Sequence, residues 1–172
     1  MSAPMAISIA PVDLVLRVAR GRRGGSEVPA NSNKGPFVEP ILKSVNLEPG
    51  NPWCAAYVYD TGTIALPGLW PGPRTGSCEV LAEYFRIHGV LVSGPPQRGD
   101  IFLLWEFVKG EQKWRFAHTG FITLVNADGS CVTNEGNTNG AGSREGWLAA
   151  EKVRTFGDKD RFGRWANLLR DS

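Results

Sequence analysis

Helical spacing and strand texture do not alternate along this chain of 172 residues; they are segregated. Apolar residues recur at helical spacing as far as about residue 88, and from about residue 100 the chain turns into β-rich runs joined by tight turns. A chain ordered in this way does not read as a series of βαβ crossovers, which would interleave the two patterns. It reads as α+β, with N-terminal helices packed on an antiparallel β-sheet. One domain, 1–172, is expected. Its helical lead-in covers about 11–60, a further helix about 77–88, and the antiparallel sheet about 100–170.

Within the helical part, PVDLVLRVAR places Val12, Val15, Leu16 and Ala19 on one face behind an initiating proline. Residues 21–36 are rich in Gly, Asn, Ser and Pro and read as a loop. A second helix is expected over Phe37–Leu47 with Pro40 in its first turn, ended by Glu48-Pro49-Gly50. A third is expected from about Pro52 to Asp60. Residues 61–76 hold four glycines and three prolines and read as a loop. Ser77–His88 is amphipathic, with Gly89 as its C-terminal cap and His88 as a charge at the helix end. Strands are expected at Ile101–Val108, Trp114–Val125, Cys131–Glu135 and Lys152–Phe156. Asn126-Ala127-Asp128-Gly129 forms a hairpin turn, and 136–146 forms a glycine-rich loop.

The bulk numbers bound the function. A net charge of +2 is too small to imply a nucleic-acid partner. The early cluster Arg17, Arg20, Arg22 and Arg23 reads as a solvated helix end. Three cysteines, Cys54, Cys78 and Cys131, are odd in number and widely spaced, so neither a disulfide framework nor a structural zinc site is indicated. Met5–Val12 is apolar but is interrupted by Pro11 and Asp13 and lacks a preceding basic residue, so it does not read as a signal peptide. No apolar run approaches a membrane span. The expectation is a monomer made in the cytoplasm, without membrane insertion.

Cys54 is the candidate nucleophile. In Asn51-Pro52-Trp53-Cys54-Ala55-Ala56-Tyr57-Val58-Tyr59 a Pro/Gly-punctuated loop turns into a small, apolar helix. That sets Cys54 at a helix N-terminus, with Pro52 in the first turn. The unpaired N–H groups and the positive dipole end favour a thiolate, and the same groups can hold an oxyanion. Cys78 also opens a helix but has no evident partner and reads as structural. His118 stands in a β-rich run between small residues. A hairpin turn later comes Asn134-Glu135-Gly136-Asn137-Thr138-Asn139. If that strand is extended, Glu135 and Asn137 share a face and Asn134 takes the other. A polar side chain there can hold one imidazole nitrogen while the other faces Cys54, which supplies thiol, base and orienting group.

Four segments in order, NPWCAAYV, PPQRGDIFLL, FAHTGFITLV and TNEGNTN, resemble the CHAP domain and NlpC/P60-type members of the papain-like cysteine peptidases. They cover residues 51–139. The resemblance implies a papain-like fold, Cys54 as nucleophile, His118 as general base and then acid, and Glu135 as the orienting group. Asn137 matches a polar position that can also serve. It implies amide hydrolysis of peptidoglycan through a thioester, as in a phage or prophage endolysin that reaches the cell wall through a holin-type pore. Alternatives are an amidase effector delivered into rival bacteria by a secretion system, and a non-catalytic wall-binding protein on the same scaffold. Trp53 stands where many CHAP domains have glutamine, which leaves the side-chain half of the oxyanion hole unassigned. Trp53 and Trp70 are the aromatic candidates for substrate binding, with the loops 61–76 and 136–146 lining a groove. Residues 40–53 contain no aspartate, so no metal and no cofactor are expected there.

Overall fold

The computed structural model describes residues 9–138 and 146–169. Four helices come first: α1 (Pro11–Gly21), α2 (Val38–Ser44), α3 (Cys54–Ala65) and α4 (Cys78–Ile87). Six strands follow: β1 (Leu91–Val92), β2 (Ile101–Val108), β3 (Lys113–Val125), β4 (Cys131–Thr138), β5 (Leu148–Arg154) and β6 (Arg161–Gly163), with a 3-10 turn at Trp165–Leu169. They form one sheet in the order β1-β6-β2-β3-β4-β5, and every neighbouring pair is antiparallel. The segregated architecture is therefore α+β.

α3 is the axis of the molecule. Cys54, Ala55, Ala56, Tyr57, Val58, Thr61 and Gly62 are all buried, as expected of a helix enclosed on several sides. α1 and α2 pack against it from one side, β3 and β4 from the other. Val15, Leu16 and Ala19 of α1 and Ile41 and Leu42 of α2 join Ile101, Leu103 and Phe121 of the sheet in the main core. Phe102, Leu104, Ile122, Cys131 and Phe162 form a second cluster, as the period-2 alternation along β2 and β3 requires.

Several boundaries differ from the sequence expectation. Pro52 lies before the first turn of α3, not inside it, because Trp53 is the N-cap residue. The helix also runs on to Ala65, through part of the segment read as loop. Gly62 is there for packing: a Cβ at that position would come within 2.2 Å of the Trp70 ring. β4 likewise continues to Thr138, past Gly136. β5 starts at Leu148 and stops at Arg154, short of Phe156. The strands β1 and β6 carry too few residues for a periodic signal.

The Gly-Asp before β2 is a structural corner. Gly99 has φ +94°, a conformation that favours glycine. Its carbonyl accepts from Trp165 Nε1 at 2.7 Å, and Asp100 Oδ2 accepts from the Gln97 N–H at 2.8 Å. Burial lifts the Asp100 carboxyl to about 6, against the pull of the Gln97 N–H and Arg164. Of the basic cluster, Arg17, Arg20 and Arg23 stay exposed around the end of α1, as expected, and Arg22 alone is drawn in. Arg22 is paired with Asp60 at 2.8 Å and lies over the Tyr57 ring, tying α1 to α3 instead of facing solvent.

Candidate active site

The first turn of α3 is unusual for a buried helix end. Trp53, the N-cap, makes no side-chain capping hydrogen bond, and a backbone bond runs from Tyr57 N–H to Trp53 C=O at 2.8 Å. The opening N–H groups thus lack intrahelical acceptors and have no cap to satisfy them. α4, by contrast, is capped by Ser77 Oγ accepting from the Val80 N–H. At α3 no side chain takes that place, and the Ala55 N–H adds a small pull toward the Cys54 thiolate.

His118 is fully buried on β3. Its Nε2 lies 2.8 Å from Glu135 Oε2. The Glu135 carboxyl also accepts two hydrogen bonds from Arg154 and one from Thr133. Burial opposes its charge, but Arg154 and His118 outweigh that and hold it at about 2. An ionised carboxylate only accepts, so Nε2 carries a proton. Nδ1 is then the nitrogen left for Cys54; it is buried and has no hydrogen-bond partner in the resting site.

The electrostatics follow from this arrangement. The Cys54 thiol is held well below its ordinary value, first by a hydrogen bond from Cys78 and then by His118, against the cost of burial. Burial works against the His118 cation, but Cys54 and Glu135 together lift it from 6.5 to about 9. Both shifts favour the thiolate–imidazolium form of the pair near neutral pH.

Two glycines make the approach possible. The β3–β4 ladder ends at Phe121–Asn134, and Glu135 reaches His118 beyond that point. It passes over Gly120, where a Cβ would sit 3.1 Å from Glu135 Cγ and 2.6 Å from the Asn134 carbonyl oxygen. A glycine two residues after His118 is what leaves room for the carboxylate. At Gly136 a Cβ would strike Trp53 and Tyr57 at 2.6 Å, so this glycine lets α3 begin against β4. Tyr57 then donates to Asn134 Oδ1 at 2.7 Å, and Asn134 Nδ2 donates to the Ala19 carbonyl at 3.0 Å. The two faces of β4 are thus divided: Asn134 holds the helices, and Glu135 holds the histidine.

Cys54 opens onto a cleft of about 1060 Å³, also lined by Cys78, Asn51, Asn137, Arg74 and Arg115. Asn137 does not continue the alternation past Glu135. The β4–β5 register shifts there, and Asn137 has φ +57°, which turns it into the cleft wall.

Neither tryptophan candidate fits a stacking role in this cleft. Trp53 is completely buried. It packs edge-on against Phe37 and Tyr57, and its Nε1 donates to Glu27 Oε1 at 2.9 Å. Trp70 packs on Gly62, Phe121 and Trp165 and is not among the cleft-lining residues. Most of the loop 136–146 lies outside the described residues.

Sequence reasoning missed three contributors. Arg154 clamps Glu135 from β5, and Glu27 clamps Trp53 while also accepting from the Asn33 N–H at 2.8 Å. Cys78 is the third: its Sγ lies 3.7 Å from Cys54 Sγ, so it has a partner after all. No local pattern reveals pairs so distant in sequence. Among the described residues, no group of three His, Cys, Asp or Glu side chains is placed to hold a metal ion. Compared with protein-family models, with curated proteins and with solved structures, the chain finds no match.

Proposed function

We propose that this protein is a peptidoglycan hydrolase on a papain-like scaffold of the CHAP and NlpC/P60 type, cutting an amide bond by a cysteine nucleophile in bacterial lysis. The observation that carries the reading is a cysteine that opens a helix without a side-chain cap at the edge of a wide cleft, with a buried His118–Glu135 couple behind it. Neighbouring side chains supply amide, cationic and apolar surface, which suits a peptide-bearing polymer. A phage or prophage endolysin delivered through a holin-type pore is the biological setting we favour.

The chemistry follows from the atoms. Cys54 sulfur attacks the amide carbonyl, and the displaced π electrons move to oxygen. The Cys54 backbone N–H stands at the positive end of α3, where it can receive that oxyanion. As the C–N bond breaks, His118 Nδ1–H gives its proton to the leaving amine, and a thioester remains. Neutral His118 then takes a proton from water, hydroxide adds to the thioester, and the thiolate departs. Glu135 stabilises the imidazolium and fixes the ring by Nε2 throughout.

The test is turbidity loss of outer-membrane-permeabilised cells. Wild type should clear the suspension, and Cys54→Ala should not while keeping its circular dichroism. Full clearing by Cys54→Ala would remove the assignment.

A further inference from the structure

Cys54 and Cys78 belong to different helices and are separated by 24 residues, yet their sulfurs lie 3.7 Å apart. Both are first residues of their helices, both line the cleft, and each is 4% exposed. Hydrolysis as derived above requires only one thiol. We infer that Cys78 is a resolving thiol for Cys54, so that oxidation locks the nucleophile into a reversible Cys54–Cys78 disulfide instead of destroying it.

The pair is suited to this chemistry. A low-lying thiolate open to a cleft is the form that peroxides attack. Cys54 sulfur takes one oxygen from hydrogen peroxide, breaking the O–O bond and releasing hydroxide, and becomes a sulfenic acid. Cys78 sulfur then attacks the Cys54 sulfur, forming the S–S bond. The sulfenic oxygen leaves with the Cys78 proton as water. Two thiols and one peroxide thus yield one disulfide and two waters. From contact at 3.7 Å the sulfurs need only close to the ~2.05 Å of a disulfide.

The order of events is also built in. In the resting site Cys78 stays a thiol, because it donates a hydrogen bond to the Cys54 thiolate, is buried, and faces that negative charge. Once Cys54 is a neutral sulfenic acid, that charge is gone, and the α4 N-terminus then favours the Cys78 thiolate. Cys131 cannot substitute for it. It is fully buried in the second cluster, with Phe102 and Ile122.

Cleavage after Lys43, Arg74 and Arg86 separates the two sulfurs into peptides 44–74 and 75–86. The reduced full chain is exposed to hydrogen peroxide, its free thiols are blocked, and it is digested with trypsin without reductant. The expected product is the two peptides linked, two hydrogens lighter than their sum, and separated again by a thiol reductant. Cys131→Ser should give the same linked product. In Cys78→Ser and Cys78→Ala, checked for fold by circular dichroism, Cys54 should instead run on to sulfinic and sulfonic acids that reductant does not reverse. The inference is overturned if wild-type Cys54 reaches sulfinic acid as fast as in Cys78→Ser with no linked peptide, or if the link forms to Cys131. Because the readout is mass, it stands or falls independently of any cell-wall activity.

Discussion

Glu135 has three jobs at one carboxyl: it fixes the His118 ring, supports its cation, and neutralises Arg154. The choice between Glu135 and Asn137 was open from spacing alone, because an ideal strand puts both on one face. The left-handed backbone at Asn137 is what separates them, and no side-chain pattern announces such a bulge. Glu135→Gln should lower turnover roughly tenfold or more, as when the orienting carboxylate of a triad becomes an amide. The same change removes a group that lifts His118 to about 9, so the alkaline limb of the pH–rate profile should move to lower pH. The sign for stability is opposite in pH. Glu135 is held at about 2 against an ordinary 4.5, so its contribution is full above 4.5 and is lost as pH falls through about 2. Thermal melts from pH 6 downward should therefore drop more steeply for wild type than for Glu135→Gln. Matching profiles in both experiments, with Asn137→Ala inactive, would transfer the role to Asn137.

At the scale of elements, the start of α3 decides the site, and its start was legible to within two residues. Pro52, Cys54 and the small residues after it mark a loop turning into a buried helix. Its end was less legible, because Gly62 looks like a loop residue until the Trp70 ring is seen against it. The substrate-binding role expected of Trp53 failed for a related reason: an aromatic beside a nucleophile suggests stacking, but this one is buried against Phe37 and Tyr57. Its indole N–H satisfies one oxygen of Glu27, itself 4% exposed. Trp53→Phe keeps the ring packing and leaves that acceptor without its donor, at a cost of about 1–3 kcal/mol. Urea denaturation should show a lower midpoint with an unchanged slope. A variant as stable as wild type would mean that the Glu27 contact is incidental.

For the whole molecule, helices before an antiparallel sheet could be read from periodicity, since each pattern repeats over many residues. What could not be read is the convergence of Cys54, Cys78, His118, Glu135 and Arg154, because it is tertiary, drawn from two helix ends and three strands. A thiolate mechanism needs no metal. Activity on purified peptidoglycan should therefore be unchanged by EDTA and abolished by thiol alkylation, and loss on chelation with recovery on adding calcium or zinc would contradict this. The claim on which all else depends is that Cys54 drives hydrolysis of an amide in the cell wall. The most direct measurement is mass spectrometry of the fragments released from purified peptidoglycan, with new ends labelled. Wild type should release one set of fragments with new amino and carboxyl ends, and Cys54→Ala should release none. New reducing sugar ends, or equal release by Cys54→Ala, would contradict it.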